Sequence, residues 1–212
     1  RFLHLFGPGG YPGFLLNDWF RLLRDNQFSV SPSHLVRATS ATFAILVNTA
    51  IAQYERMRYG AEVEQTSVMA PLFILGHWRN GTTYLHQLIA LDERFAFPNL
   101  YHVSLPHIFL STGTTSTYLT RFLIPRSRPF DNVRQTWEMP YEDEIATATL
   151  TLRSPYLSAL FPQRTEFYDR YLTFRDVSAH EIDEWRTGFL LFLKKLTWKY
   201  QRPLILKSPP HT

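Results

Sequence analysis

The chain contains no cysteine. This absence excludes disulfide bridges and thiolate catalysis, so a metal site would have to use histidine and carboxylate ligands. It also suits a reducing compartment, and we expect a protein that is cytoplasmic or peripheral to a membrane. Long apolar runs are scarce as well, because the longest candidate, residues 38–52, is interrupted by five serine, threonine and asparagine residues. A membrane helix needs about 20 consecutive, mostly apolar residues. We therefore expect no transmembrane span.

Charge is also sparse, at 19% of the 212 residues, while 45% are hydrophobic. This balance favours a globular fold over disorder. The net charge of +4 comes from scattered basic residues without a polybasic cluster, so we expect no nucleic-acid partner, although a small anionic ligand is compatible. The length suits one domain or a large part of one. The oligomeric state is left open by the composition.

The N-terminal part, residues 1–70, is predicted to be a turn-rich segment followed by one long amphipathic helix over residues 33–59, which ends at Gly60. The apolar positions of this helix recur at helical spacing and comprise Leu35, Phe43, Leu46, Ala50, Tyr54 and Met57. We predict that this face packs on the domain. The alternative is a peripheral membrane surface, which is less favoured because Glu55, Arg56 and Arg58 do not form a basic face.

Residues 71–212 are predicted to form an α/β domain. Short apolar strands at 72–75 and 204–206 are separated by helical patterns, a layout typical of a parallel sheet covered by helices. We therefore predict a P-loop-like three-layer fold with a central parallel sheet flanked by helices. The most marked helix start is Ser178 with Glu181, a capping-box pair. The chain ends shortly after the second strand, and we expect the fold to be C-terminally truncated.

The sequence between the first strand and the next helix, GHWRNGTT at residues 76–83, has the glycine spacing of a nucleotide P-loop. Thr82 stands where the P-loop lysine belongs, and the loop's one cation is Arg79. A triphosphate with magnesium would lose its main counter-charge here, whereas a shorter anion at a helix N-terminus would keep its donors. The loop therefore predicts a site for a phosphate-type anion other than ATP. A P-loop kinase or NTPase is the alternative, and a non-catalytic interaction domain is a third possibility.

Five stretches carry a resemblance to a known family: residues 73–86 (FILGHWRNGTTYLH), 128–132 (RPFDN), 140–144 (PYEDE), 154–156 (SPY) and 206–212 (LKSPPHT). On these stretches the chain resembles the sulfotransferases that use 3′-phosphoadenosine 5′-phosphosulfate (PAPS), most closely a bacterial branch. The resemblance implies transfer of a sulfuryl group from PAPS, without a metal, to a hydroxyl or amine of a small molecule, lipid or carbohydrate. It also implies that the family's 3′-phosphate site would lie beyond residue 212.

The same resemblance assigns roles to individual residues. The loop residues would hold the phosphosulfate group and comprise Gly76, Arg79, Asn80, Gly81, Thr82 and Thr83. Lys207, at the end of the second strand, would act on the transferring group. Lys207 and Arg79 also fit a catalytic role by charge, because sulfuryl transfer builds negative charge on the leaving oxygen.

The group that removes the acceptor proton is less sharply defined by the sequence. Glu144 is narrowly preferred and Glu142 is retained, since residues two apart on a helix point to different faces. Four histidines are further candidates, with the last to be tested first: His77, His86, His102 and His107.

Overall fold

The computed structural model describes residues 13–120 and 135–211. These residues form eight α-helices and a two-stranded sheet. In chain order the elements are α1 (Leu16–Asp25), α2 (Leu35–Gln65), β1 (Leu72–Phe73), α3 (Thr82–Ile89), α4 (Leu100–Ser104), α5 (Phe109–Thr120), α6 (Glu144–Thr151), α7 (Thr165–Asp169), α8 (Ala179–Tyr200) and β2 (Ile205–Leu206).

The two strands lie side by side in parallel, with Leu72 opposite Ile205 and Phe73 opposite Leu206. On the other side of β2, the backbone of Ala96 bonds to Pro203 and Ile205 at 2.9 and 2.8 Å. The apolar run through Leu204, Ile205 and Leu206 is fully buried, as expected for a strand covered on both faces. The parallel pairing predicted for the two strands is thus confirmed, but β1 is not covered as predicted, because Leu72 and Phe73 are 42% and 40% exposed. The P-loop-like three-layer fold stays a prediction.

The helices that cover β2 pack tightly against one another. Most of α6 is buried, and it lies against α8, where a Cβ on Gly188 would come within 2.3 Å of the Thr151 side chain. Leu204 and Leu206 belong to the same buried cluster as apolar residues of α6 and α8.

The predicted capping box at the start of α8 is confirmed, because the Ser178 hydroxyl accepts from the Glu181 N–H at 3.3 Å and the Glu181 carboxylate accepts from the Ser178 N–H at 3.2 Å.

Helix α2 differs from its prediction in its end and in its buried face. It passes through Gly60 and ends at Gln65; an interior glycine costs a helix only about 1 kcal/mol, so Gly60 does not stop it. The predicted packing face is exposed, with Phe43 at 70% and Met57 at 81%, and that prediction is wrong. The opposite face is buried instead, because Ile45 belongs to the hydrophobic core and the Asn48 amide donates to the Gly13 and Phe14 carbonyls.

The segment Pro32–Gln65 is also long and apolar enough to cross a membrane by length and composition alone. Only 17% of its most apolar 18-residue window is buried. The absence of a transmembrane span, which we expect from the serine, threonine and asparagine residues within 38–52, stays a prediction. The division of the chain at residue 70 stays a prediction.

Candidate active site

The loop after β1 and the residue after β2 meet at the carboxyl end of the parallel pair. Lys207 directly follows β2, and its ammonium group donates to the Thr83 hydroxyl of α3 at 3.3 Å. The meeting follows from topology, because parallel neighbours deliver their carboxyl ends to the same edge of a sheet. The two features that sequence patterns singled out separately therefore form one site.

The loop that enters α3 needs its two glycines for different reasons. A Cβ on Gly76 would come within 2.5 Å of the Thr82 methyl group, so only glycine lets the loop close against the helix. Gly81 has a φ of +79°, which is accessible to glycine at little cost. Arg79 also has a positive φ, of +65°, and its side chain is exposed at the crown of the loop. The first N–H groups of α3 have no acceptor within the helix and are oriented to bind an anion.

Lys207 forms a buried ion pair with Glu142. Its Nζ lies 2.6 Å from Glu142 Oε1, and the side chains are 3% and 17% exposed. The second carboxylate oxygen of Glu142 accepts a hydrogen bond from the Tyr156 hydroxyl at 2.5 Å. Burial, followed by the nearby Glu142 charge, holds the pKa of Tyr156 well above its usual value. Tyr156 is therefore a permanent donor that orients the carboxylate toward Lys207.

A second ion pair lies behind the first. The Asp143 carboxylate accepts from the Lys207 backbone N–H at 3.0 Å and from His211 Nε2 at 2.5 Å. Burial by itself would lower the pKa of His211, but the charge of Asp143 and the hydrogen bond to it raise the pKa overall. For Asp143 burial acts to raise the pKa, and His211 reverses this to a net lowering. The charged pair therefore fixes the backbone from which the Lys207 side chain projects.

Glu144 lies deeper than either pair. It is 2% exposed, its N–H donates to the Ser208 hydroxyl at 2.9 Å, and its carboxyl group bonds with Ser154. Burial raises its pKa to about 8. Glu144 is consequently protonated at neutral pH and forms part of the support beneath the site.

The structure brings some of the sequence-predicted residues together and separates others. Thr83, Lys207 and Glu142 converge, while Arg79 and Asn80 lie exposed on the loop. Glu144 does not contact the Lys207 ammonium group; that place is taken by Glu142. The assignment of catalytic and donor-binding roles to these residues stays a prediction.

The four candidate histidines lie in different environments. His77 is exposed on the loop, beside Trp78. His86 is buried beneath β2, and burial, followed by the charge of Lys207, lowers its pKa to about 4. Burial lowers the pKa of His107 to about 3 and that of His102 well below its usual value, and both lie near Lys195. His86, His102 and His107 are therefore neutral residues of the interior at neutral pH.

Sequence reasoning assigned no role to several residues that build the site. They are Asp143, Ser154, Tyr156, Ser208 and His211, and all lie in stretches that carry the family resemblance. The signal that was available is their position: Asp143 lies between the two glutamates considered, and His211 follows the two prolines after Lys207. The stretch 128–132 and residue 212 lie outside the described residues.

No group of three or more side chains suited to hold a metal ion occurs within residues 13–120 and 135–211. That observation leaves the metal-free mechanism a prediction. The acidic and basic groups at the site are instead paired with one another.

Comparison with known proteins gave two curated relatives and one similar structure. The relatives are the omega-hydroxy-beta-dihydromenaquinone-9 sulfotransferases Stf3 of Mycobacterium bovis and Mycobacterium tuberculosis, each 35% identical over 195 residues. The aligned region is 92% of this chain and 50% of each relative, so the chain spans about half the length of these proteins. No family model matches the chain.

The similar structure is the crystal structure of the sulfotransferase STF1 from Mycobacterium tuberculosis H37Rv. It matches with a TM-score of 0.58 at 16% identity and covers 92% of this chain and 55% of that protein. At this identity the likeness concerns the fold alone. The fold of the described residues is therefore that of part of a sulfotransferase.

Proposed function

Because the chain is homologous over most of its length to bacterial sulfotransferases, we propose that the protein transfers a sulfuryl group from PAPS to a hydroxyl group of an acceptor. One observation carries the proposal: the Lys207 ammonium group, at the end of β2, lies 3.3 Å from the Thr83 hydroxyl of the anion-binding loop. A cation at this place faces the charge that develops as the sulfuryl group leaves its phosphate.

The loop residues fit the phosphosulfate end of PAPS. Close packing of Gly76 against Thr82 and the positive φ of Gly81 leave the first N–H groups of α3 open to an anion. Thr82 and Thr83 add hydroxyl donors, and Arg79 adds a planar cation at the crown. This donor set has no lysine in the P-loop position, which supports a donor other than ATP with magnesium.

PAPS, when bound, supplies an activated sulfuryl group whose S–O bond to the 5′-phosphate breaks as the acceptor oxygen bonds to sulfur. Lys207 stabilises the charge on the leaving oxygen. Glu142 takes the acceptor proton, since its carboxylate already accepts from Lys207 and Tyr156 and retains free lone pairs. This assignment moves the base from Glu144, which is protonated at neutral pH, to Glu142.

The acceptor is proposed to be a lipid alcohol. The curated relatives are named for an omega-hydroxy dihydromenaquinone, a lipid that carries a hydroxyl group. Among the acceptor classes expected from the sequence, which were small molecules, lipids and carbohydrates, this name favours the lipid. An amine acceptor has no such support.

Two measurements test the proposal. The melting temperature of the purified protein should rise with 3′,5′-bisphosphoadenosine and not with ATP plus magnesium, because ligands stabilise the state that they bind. The reverse result would support a kinase or NTPase. Sulfuryl transfer to a solubilised lipid alcohol, followed with sulfur-labelled PAPS, then tests the reaction itself.

The catalytic assignment needs variants that remain folded. Lys207→Ala leaves the Glu142 carboxylate without its partner, so a neutral double variant, Lys207→Met with Glu142→Gln, accompanies it. Both should lose sulfuryl transfer, while Arg186→Ala, at an exposed position on α8, should keep it. Unchanged turnover in the double variant would remove Lys207 and Glu142 from the mechanism.

A further inference from the structure

We propose that the outer face of α2 lies on the surface of a lipid bilayer and holds the protein where its acceptor is dissolved. The outer face is defined as Leu35, Val36, Phe43, Leu46, Val47, Tyr54 and Met57. The lipid class of the acceptor is taken from the proposed function; the surface itself is argued from α2 alone.

The outer face is unusually apolar for an exposed surface. Each of its seven large apolar side chains is at least 50% exposed, from Val47 at 50% to Val36 at 84%. Phe43, Val47, Tyr54 and Met57 are spaced by three, four or seven residues, so they lie along one side of the helix. Soluble monomers rarely expose a contiguous apolar patch of more than a few hundred Å². Such a face is the sign of a binding surface.

The opposite face of α2 is tied to the protein by polar contacts. Trp19 Nε1 donates to the Thr42 hydroxyl and the Leu16 N–H donates to the Thr49 hydroxyl, both at 2.9 Å. Farther along, Glu55 Oε1 lies 2.5 Å from Lys195 Nζ in a pair whose side chains are 4% and 7% exposed. Crossing a bilayer would break these contacts and leave a buried charge unpaired, which is costly. The helix therefore lies on the membrane with only its outer face in contact.

Length and charge agree with this orientation. Residues 38–54 contain no charged side chain and rise about 25 Å as a helix, so the uncharged part of the outer face can lie flat on a bilayer over its whole length. Arg37 precedes this stretch, and Arg56 and Arg58 follow it. Arginines at both ends of an apolar surface complement the phosphate groups of lipids, and their long side chains can reach the headgroup level.

A bilayer also suits the shape of the surface. The outer face is one side of a single helix from residue 35 to residue 57, about 33 Å long. Such a ridge has no concave pocket of the kind that seats the anchor residues of a partner protein. Lipid chains rearrange around a ridge, and an interfacial helix typically buries its apolar side to a depth of about 5–10 Å.

Vesicle flotation tests the proposal without any need for activity. The purified protein should float with phosphatidylcholine vesicles and more strongly with vesicles that also contain phosphatidylglycerol. The double variant Phe43→Gln/Val47→Gln should lower the partition coefficient at least about tenfold, because two apolar side chains no longer enter the bilayer. Leu190→Gln, an exposed apolar position on α8, is the matched control and should float as the parent does.

Three outcomes would overturn the proposal. They are no flotation of the parent protein, equal flotation of parent and double variant, and a dimer in light scattering that the double variant converts to a monomer. A further arm separates this proposal from the proposed reaction. Transfer to a lipid alcohol in vesicles should fall in the double variant, while transfer to the same alcohol in detergent should persist. If the parent protein floats but transfers a sulfuryl group in neither system, the proposed reaction is refuted and the membrane surface is not.

Discussion

Replacement of Glu144 by glutamine tests whether Glu144 is a buried, neutral acid beneath the site. Glu144 is 2% exposed, bonds with Ser154 through its carboxyl group, and is supported from Ser208 through its backbone. Burial raises its pKa from 4.5 to about 8. A glutamine has nearly the same shape, keeps a carbonyl acceptor and an N–H donor, and cannot ionise.

The sign and size of the effect follow from this pKa. Between pH 4.5 and about 8 the folded state keeps a proton that the unfolded state releases, so the free energy of unfolding falls as the pH rises, by at most about 1.4 kcal/mol per pH unit. Over the full interval the limit is about 5 kcal/mol. Glu144→Gln should remove this dependence, so at pH about 8 the variant should be more stable than the parent by a few kcal/mol.

Urea unfolding followed by circular dichroism at several pH values measures this difference directly. The informative quantity is the change in free energy of unfolding between variant and parent, because other titrating groups cancel in it. Glu93→Gln, at an exposed position, is the matched control for the removal of one carboxyl group. If Glu144→Gln loses stability at every pH, or follows the parent's slope, the interpretation of Glu144 as a buried neutral acid is refuted.

Three further predictions concern the neighbouring residues. Glu142→Gln should abolish sulfuryl transfer while donor binding, measured by calorimetry with 3′,5′-bisphosphoadenosine, persists. His211→Gln should destabilise the fold by about 3–5 kcal/mol, since it leaves the buried Asp143 carboxylate without its charged partner. The ion pair contributes its full stability above the unfolded pKa of Asp143 and below the unfolded pKa of His211. This stability is lost as the pH falls through the lowered pKa of Asp143 or rises through the raised pKa of His211. Gly76→Ala should cost about 1–3 kcal/mol by overpacking, and Thr82→Ser, which removes the clashing methyl group, should restore part of it.

Controls accompany each of these. Glu144→Gln is the control for Glu142→Gln. If Glu144→Gln keeps sulfuryl transfer and Glu142→Gln loses it, Glu142 is the base. The opposite pattern would assign the base to Glu144. The double variant Asp143→Asn/His211→Gln should recover stability relative to His211→Gln alone. Equal melting temperatures of Gly76→Ala with and without Thr82→Ser would show that the close contact is relieved in another way.

Local patterns predicted the elements that position the site. The strands that end near residues 73 and 206 were predicted from short apolar runs. The reasoning that an apolar run without polar alternation is a covered strand holds for β2, which is buried, and fails for β1, which is exposed. The Ser178 capping box predicted the start of α8, since it depends on neighbours three residues apart. The predicted helix end at Gly60 was wrong because one glycine costs a helix only about 1 kcal/mol. The tertiary contacts of α2 outweigh that cost.

What the sequence by itself determined is the set of chemical groups and their place at strand ends: the loop glycines, Lys207 and the acidic run at residues 142–144. Only the tertiary structure decided which of those acids faces Lys207, because residues so close in sequence differ in surroundings supplied by β2 and Tyr156. It also decided which side of α2 is buried. Apolar spacing predicted one face, but the face that is buried carries Ile45 in the core together with Asn48 and Glu55, whose partners Gly13 and Lys195 are remote in the chain.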